Sequence, residues 1–289
     1  MVTRRCTQRQ FLLRPDADTN NAFLYCLAFA AERTEMRVVA FLAHSNHHHT
    51  IVVDTSGRMP EFLETFHKLL AKHQNALRGR WENFWASEAT SVVELADHDA
   101  ILDKVTYALT NPVKDQLVER ADKWPGATSI RGTLEGEPLR ARRPRRFFRK
   151  DGKLPETIVL TCKRPPELET MPHEEWRDRL LERIHAVERA AETDRETRNT
   201  RVLGRALVLR QRPTDRPQSL EARRKVSPRV ASPNKWARIE ALQRNKVFIA
   251  AYRLARDLWQ AGREATFPVG TYWLRRFAGV VVAVAAAPS

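Results

Sequence analysis

Residues 37–54 read RVVAFLAHSNHHHTIVVD, and the way this stretch divides decides the fold. Arg37 to Ala43 and His47 to Asp54 are rich in β-branched residues, and His44-Ser45-Asn46 is a polar break between them, so the stretch predicts a β-hairpin. Upstream, Cys6 to Leu13 is expected to form a strand, and Thr19 or Asn20 can cap a helix running through Ala31. Downstream, a helix from Pro60 to about Leu77, a connector with Trp81, Phe84 and Trp85, and a strand at Ser91 to Leu95 complete the unit. Strand, helix, strand, strand, helix, strand is the order of an α+β, ferredoxin-like antiparallel sheet with helices on one face. One helix is added behind it: it starts at Asp97-His98-Asp99 and keeps Ile101, Leu102, Val105 and Leu109 at helical spacing. Pro112 is expected to end it, because proline disfavours helical geometry at the residue before it.

The whole chain bounds the partner. It has 289 residues, long for one domain and natural for two. Fifty Lys and Arg against 35 Asp and Glu leave a net charge of +15, yet 42% of residues are hydrophobic, which excludes a disordered polybasic tail. Three cysteines, Cys6, Cys26 and Cys162, form no zinc spacing and no disulfide framework. The N-terminal MVTRRCTQRQFLL has no apolar run of signal-peptide length, and Phe277 to Pro288 falls short of the roughly 20 residues that span a bilayer. A cytoplasmic protein with no membrane partner is expected, its tail a terminal strand or packed segment. A polyanion, nucleic acid first, is the partner that the charge suggests.

Composition shifts between Gly132 and Lys153, where Arg140, Arg142, Arg143, Arg145, Arg146, Arg149 and Lys150 alternate with Pro138, Pro144, Phe147 and Phe148. Two readings stand: a solvated tether, or an exposed arm that binds phosphates and stacks its phenylalanines on unpaired bases. The expected organisation is therefore a domain over 1–131, a basic linker or arm over 132–154, and a mixed, helix-rich region over 155–289. In that last region a strand at Thr157 to Cys162, a helix from His173 to about Arg198, a strand at Arg205 to Leu209 and a helix from Ser232-Pro233 to Gly262 are expected.

Two clusters could carry chemistry. Side chains alternate along a strand, so His47 and His49 share a face and His48 takes the other. Two imidazoles on one face, about 7 Å apart along the strand, can converge on a divalent metal or can simply pack. In YALTNPVKDQLV, residues 107–118, Tyr107 and Asn111 stand at i and i+4 and share a helix face. That pair is either a functional phenol and carboxamide or a helix stop with a half-buried aromatic.

Taken together, SNHHHTIVVD, then YALTNPVKDQLV, then KWPGATS resemble the single-tyrosine HUH transposases, in particular the REP-associated tyrosine transposases, over roughly residues 4–130. The resemblance implies an HUH endonuclease fold, with His47, His49 and Asn111 as ligands of a divalent metal, magnesium or manganese, and Tyr107 as the nucleophile. His48 departs from the pattern, which has an apolar residue there. The implied activity is cleavage and strand transfer of single-stranded or hairpin-forming DNA through a 5′-phosphotyrosine intermediate, at the nucleoid of a bacterium, with a homodimer allowed. Arg4, Arg5, Arg9, Lys72, Arg78, Arg80 and the arginines of the arm, Arg140, Arg142, Arg143, Arg145 and Arg146, are the candidate DNA contacts. Two other readings remain: a host-domesticated DNA-binding regulator that keeps the fold without transposition, and an RNA-binding ferredoxin-like protein with structural histidines. The latter calls for an aromatic platform that HTIVVD does not offer.

Overall fold

The hairpin forms as β2 (Arg37–Ala43) and β3 (His47–Val53), closed by the His44 N–H donating to the His47 carbonyl at 2.8 Å. The computed structural model describes residues 1–149, 151–219 and 228–284. Ahead of the hairpin lie β1 (Val2–Arg5) and α1 (Ala17–Thr34). After it come α2 (Met59–Arg78), β4 (Ser91–Val92), β5 (Glu94–Leu95) and α3 (His98–Lys114). The remainder is α4 (Ile130–Leu134), β6 (Leu139–Arg142), β7 (Thr157–Leu160), α5 (His173–Arg198), α6 (Arg205–Arg210), β8 (Val230–Ala231), α7 (Lys235–Gln260), β9 (Thr266–Phe267), α8 (Tyr272–Ala278) and β10 (Val281–Val282).

The main sheet is four-stranded and antiparallel in the order β2-β3-β1-β4, so the chain is α+β. The hairpin makes β2 and β3 neighbours, and the crossovers through α1 and α2 put β1 in the middle. Helices cover both faces, where one had been expected. Phe41 and Ala43 of β2 pack with α1 and α2, while Ala40 and Leu42 face the core shared by α3 and α5. The second covered face follows from α3: Leu102, Val105, Ala108, Leu109 and Val113 form an apolar stripe buried against the sheet.

Several expectations need correction. The first strand is Val2–Arg5, because Gln8 and Arg9 take positive φ and break the extended run over 6–13. Asp16 caps α1, its carboxylate accepting from the Thr19 N–H at 2.7 Å, and Thr19 is buried. Asn234 caps α7, while the Ser232 hydroxyl donates to Asp97. Pro112 lies inside α3, which runs on to Lys114. An internal proline costs about 3 kcal/mol, and burial of Leu109, Pro112 and Val113 on the sheet offsets it. Arg205–Arg210 is helical; a short apolar run does not by itself distinguish strand from helix.

The basic stretch is also not wholly an exposed tether. Leu139–Arg142 pairs antiparallel with Thr157–Leu160 and docks on α1, with Asn21 exchanging hydrogen bonds with the Arg142 backbone. Ala141 is buried, and Phe148, 7% exposed, packs edge-on against Tyr25, so only Phe147 of the two phenylalanines faces solvent. Lys150 and residues 285–288 of the expected tail lie outside the described residues. Among the described residues no helix is long and apolar enough to cross a membrane.

On the α1–α2 face a buried relay runs under β3. The Arg4 guanidinium donates to His67 Nδ1 at 2.9 Å, and His67 Nε2 meets His48 Nε2 at 3.0 Å. His48 Nδ1 in turn meets Thr50 Oγ1 at 3.0 Å. Because arginine can only donate, every proton in the chain is fixed: His67 donates to His48, and His48 donates to Thr50. Burial pushes the His48 pKa down to about 3 and that of His67 well below its usual value. A folded-state pKa below the unfolded one contributes stability above the unfolded value of about 6.5, lost as pH falls toward 3, at about 1.4 kcal/mol per pH unit for each histidine. Urea unfolding at pH 7, 6 and 5 is expected to show this loss, and His48→Phe is expected to remove about one proton from the slope. An unchanged slope in the variant would show that His48 is not held neutral.

Candidate functional site

The site lies on the opposite face of β3, beneath α3. Strand alternation sends His47 and His49 there, and the Nε2 atoms of the two rings are 3.2 Å apart. Each ring is held from behind. Asn46 donates through Nδ2 to the Arg9 carbonyl, leaving Oδ1 to accept from His47 Nδ1 at 2.7 Å. His49 Nδ1 bonds Thr3 Oγ1 at 2.8 Å, because Thr3 of β1 is its register partner. His47 thereby carries its proton on Nδ1 and its lone pair on Nε2. Burial, then the neighbouring His44 and His49, holds the His47 pKa well below its usual value, so the neutral ring is the form present at pH 7.

From above, α3 delivers Tyr107 and Asn111. The Asn111 carboxamide is buried, with Nδ2 3.2 Å from His49 Nε2 and Oδ1 without a hydrogen-bond partner. The Tyr107 ring stands edge-on to His49 with centroids 5.1 Å apart. The four residues named from the sequence therefore come together in space.

The donors suit a cation. Two nitrogens each about 2.1 Å from one metal are separated by about 3.0 Å at octahedral angles and about 3.4 Å at tetrahedral ones, and the observed 3.2 Å falls between. Turning the Asn111 amide about its last bond brings its orphaned oxygen to the His49 side, where a cation would remove the cost of leaving it unpaired, about 1–3 kcal/mol. Among the described residues no three His, Cys, Asp or Glu side chains gather as a metal site, and a cation placed at the two imidazoles would take this neutral carboxamide as its third protein donor. Two imidazoles and a carboxamide oxygen form a mixed nitrogen and oxygen set that magnesium or manganese accept with waters retained.

A stack supports the cluster. Trp124 lies on His44 at 5.3 Å, His44 lies on His47 at 4.7 Å, and Trp124 Nε1 donates to the Ala43 carbonyl. Gly126 permits this turn: a Cβ there would stand 2.4 Å from Trp124 Nε1 and 2.8 Å from the Ala43 oxygen. Thr3, His44, Asn46 and Trp124 were not among the site residues read from the sequence. The WPG turn and the asparagine preceding the histidines were visible there, but Thr3 becomes legible only once β1 is registered against β3.

The candidate DNA contacts separate by environment. Arg4 is committed to His67 and lies 5.4 Å from the Trp85 ring, on the far face of the sheet. Arg78 donates to the Leu12 carbonyl, Asp16 and Thr19, and Arg143 donates to the Gly152 and Leu154 carbonyls; both hold the chain together. Arg5 pairs with Glu88, and Arg9 donates to Ser219. Lys72 sits 5.6 Å from the Phe147 ring, and Arg80 is half-buried. Arg140, Arg142, Arg145 and Arg146 are exposed.

No protein-family profile matches the chain, and no curated protein matches it in sequence. A solved structure of a REP-associated tyrosine transposase bound to a REP hairpin is similar to it at 18% identity and a TM-score of 0.33, over 44% of this chain and 73% of that one.

Asn46→Ala is expected to leave the fold intact and to lower manganese affinity by about 10–100-fold, since an outer partner that fixes an imidazole contributes on that scale. Titration calorimetry measures it; equal affinity in the variant would show that His47 needs no such anchor.

Proposed function

We propose that the chain is a metal-dependent DNA endonuclease and strand transferase of the single-tyrosine HUH transposase type, acting on single-stranded or hairpin-forming DNA. The observation that carries this reading is the convergence of His47 Nε2, His49 Nε2 and the Asn111 carboxamide within 3.2 Å steps, directly beside the Tyr107 ring.

In this reading His47, His49 and Asn111 hold a magnesium or manganese ion. When bound, the ion supplies positive charge to the non-bridging oxygens of a phosphodiester. The rest is the work of the chain. Tyr107 is half-buried beside His49, and its hydroxyl serves as the nucleophile. Its oxygen attacks phosphorus, the phenolic proton passes to solvent, the bond to the 3′ oxygen breaks, and that oxygen takes up a proton. The products are a 5′-phosphotyrosine and a free 3′-hydroxyl. The phosphodiester energy is kept in the linkage, so attack by a 3′-hydroxyl reverses the step and joins strands. The strand must arrive unpaired, because the site is floored by a sheet and roofed by a helix. The exposed arginines at 140, 142, 145 and 146 are the part of the arm that can follow a phosphate backbone.

Incubation with manganese and a stem-loop oligonucleotide bearing a single-stranded flank is expected to give a protein–DNA adduct stable in denaturing gels. Tyr107→Phe and excess EDTA are each expected to abolish the adduct while DNA binding persists. An adduct formed by the phenylalanine variant would refute Tyr107 as the nucleophile.

A further inference from the structure

We propose that Lys104 and Lys114 form a two-ammonium clamp that grips the backbone phosphate of single-stranded DNA at the Tyr107 ring. The inference deepens the nuclease reading and rests on it. It starts from helix geometry. Lys104 precedes Tyr107 by one turn, and Lys114 follows it by almost two full turns, nearly in line with it on the same face of α3. Helical side chains lean toward the N-terminus, so Lys114 reaches back over the phenol while the phenol reaches back toward Lys104. The result is a ring flanked by two cations, with Lys114 Nζ 4.9 Å and Lys104 Nζ 5.5 Å from its centroid.

Among the described residues neither ammonium forms an ion pair, and the nearby acids are engaged elsewhere. Asp103 is held by Arg183, and Asp115 lies 3.2 Å from His44. Burial, and then Lys104, pushes the Lys114 pKa below its usual value, which Asp103 and Asp115 only partly offset. The arrangement therefore sets two like charges near each other at some cost, and that cost falls when an anion binds beside them. The adjoining His47, His49 and Asn111 side chains add no negative charge. The buried N-terminal amine near Lys104 is pushed down to about 5 and is uncharged at pH 7. A cluster that is cationic and lined by neutral donors matches a phosphodiester, whose charge is delocalised over two non-bridging oxygens. Aromatic packing alone explains one lysine on the ring face; it does not explain two lysines, neither in a close ion pair among the described residues, around the tyrosine that borders the histidine pair.

The test uses the full-length protein in EDTA, so that binding is read apart from cleavage, with a fluorescein-labelled stem-loop DNA carrying a single-stranded extension. Affinity is measured across a salt series by anisotropy. For single strands each neutralised phosphate contributes about 0.7 to the slope of log K against log salt. The slope is expected to fall by about 0.7 in the double variant, where the one gripped phosphate is no longer neutralised, and by part of that in Lys104→Gln or Lys114→Gln alone, with Lys→Arg at either position restoring it. A helix-stabilising role alone would move the melting temperature and leave the slope unchanged. Should the glutamine variants fail to fold, acetylation footprinting of the wild-type protein replaces them: DNA is expected to shield Lys104 and Lys114 from acetylation. Wild-type protein that binds DNA, with unchanged slopes in the variants or unshielded lysines, overturns the clamp and leaves the nuclease reading standing. Wild-type protein that binds no single-stranded DNA overturns both.

Discussion

The close approach of the His47 and His49 Nε2 atoms, 3.2 Å apart on one face of β3, is the constraint on which the rest of the molecule turns. Left free, either ring would rotate away or take a proton. The fold denies both. Asn46 and Thr3 fix the rings through their Nδ1 atoms, the Trp124–His44 stack closes the side of His47, and burial raises the cost of charging it. In the proposed reading, a cation held by both nitrogens would turn this close approach into coordination, and its binding would return stability given up in assembling the site.

The same logic accounts for the third histidine. At His48 the strand turns its other face to the α1–α2 layer, where an apolar residue would pack without polar demands. A histidine there must be satisfied, and the Arg4–His67–His48–Thr50 relay satisfies it completely. The relay ties β1, β3 and α2 together at the level of the ligand pair. It also explains why Arg4, exposed by its place in a basic N-terminus, is not available to DNA: its charge is used to fix proton positions inside the fold.

The hairpin, α1, α2 and α3 were legible because they rest on local rules, whereas alternation in HHHTIVV and i, i+4 spacing in YALTN put only each pair on one face, and the meeting of His47 and His49 with Tyr107 and Asn111 was implied by the family resemblance. What could not be read rests on long-range packing. Pro112 marks a helix end locally, yet α3 continues past it because the sheet rewards burial of Val113. The run 138–148 reads as an open arm by composition, but Ala141 and Phe148 sit at positions that α1 buries. Residues 205–209 carry an apolar pattern too short to choose its own conformation, and only the positive φ of Gly204 and the burial of Val208 show that a helix begins there.

The less interpretable second half has a mechanical consequence for the site. Tyr107, Asn111 and both lysines ride on α3, so their placement over β3 is only as exact as the docking of that helix. α3 is held from beneath by Val39 and Leu42 of the sheet and from above by α5, whose Leu180 and Ile184 share its core. Arg183 of α5 reaches across to Asp99 and Asp103 near the start of α3. At the other end Arg195 bonds Gln116, just beyond the last turn. At the start, the Asp97 cap is tied to Ser232. A helix fixed at both termini and on two faces cannot slide by a turn, and a slide of one turn would carry Asn111 about 5.4 Å from the imidazoles. The long charged helix over 173–198 contributes no residue to the cluster, yet the register of Tyr107 and Asn111 relative to His47 and His49 depends on it.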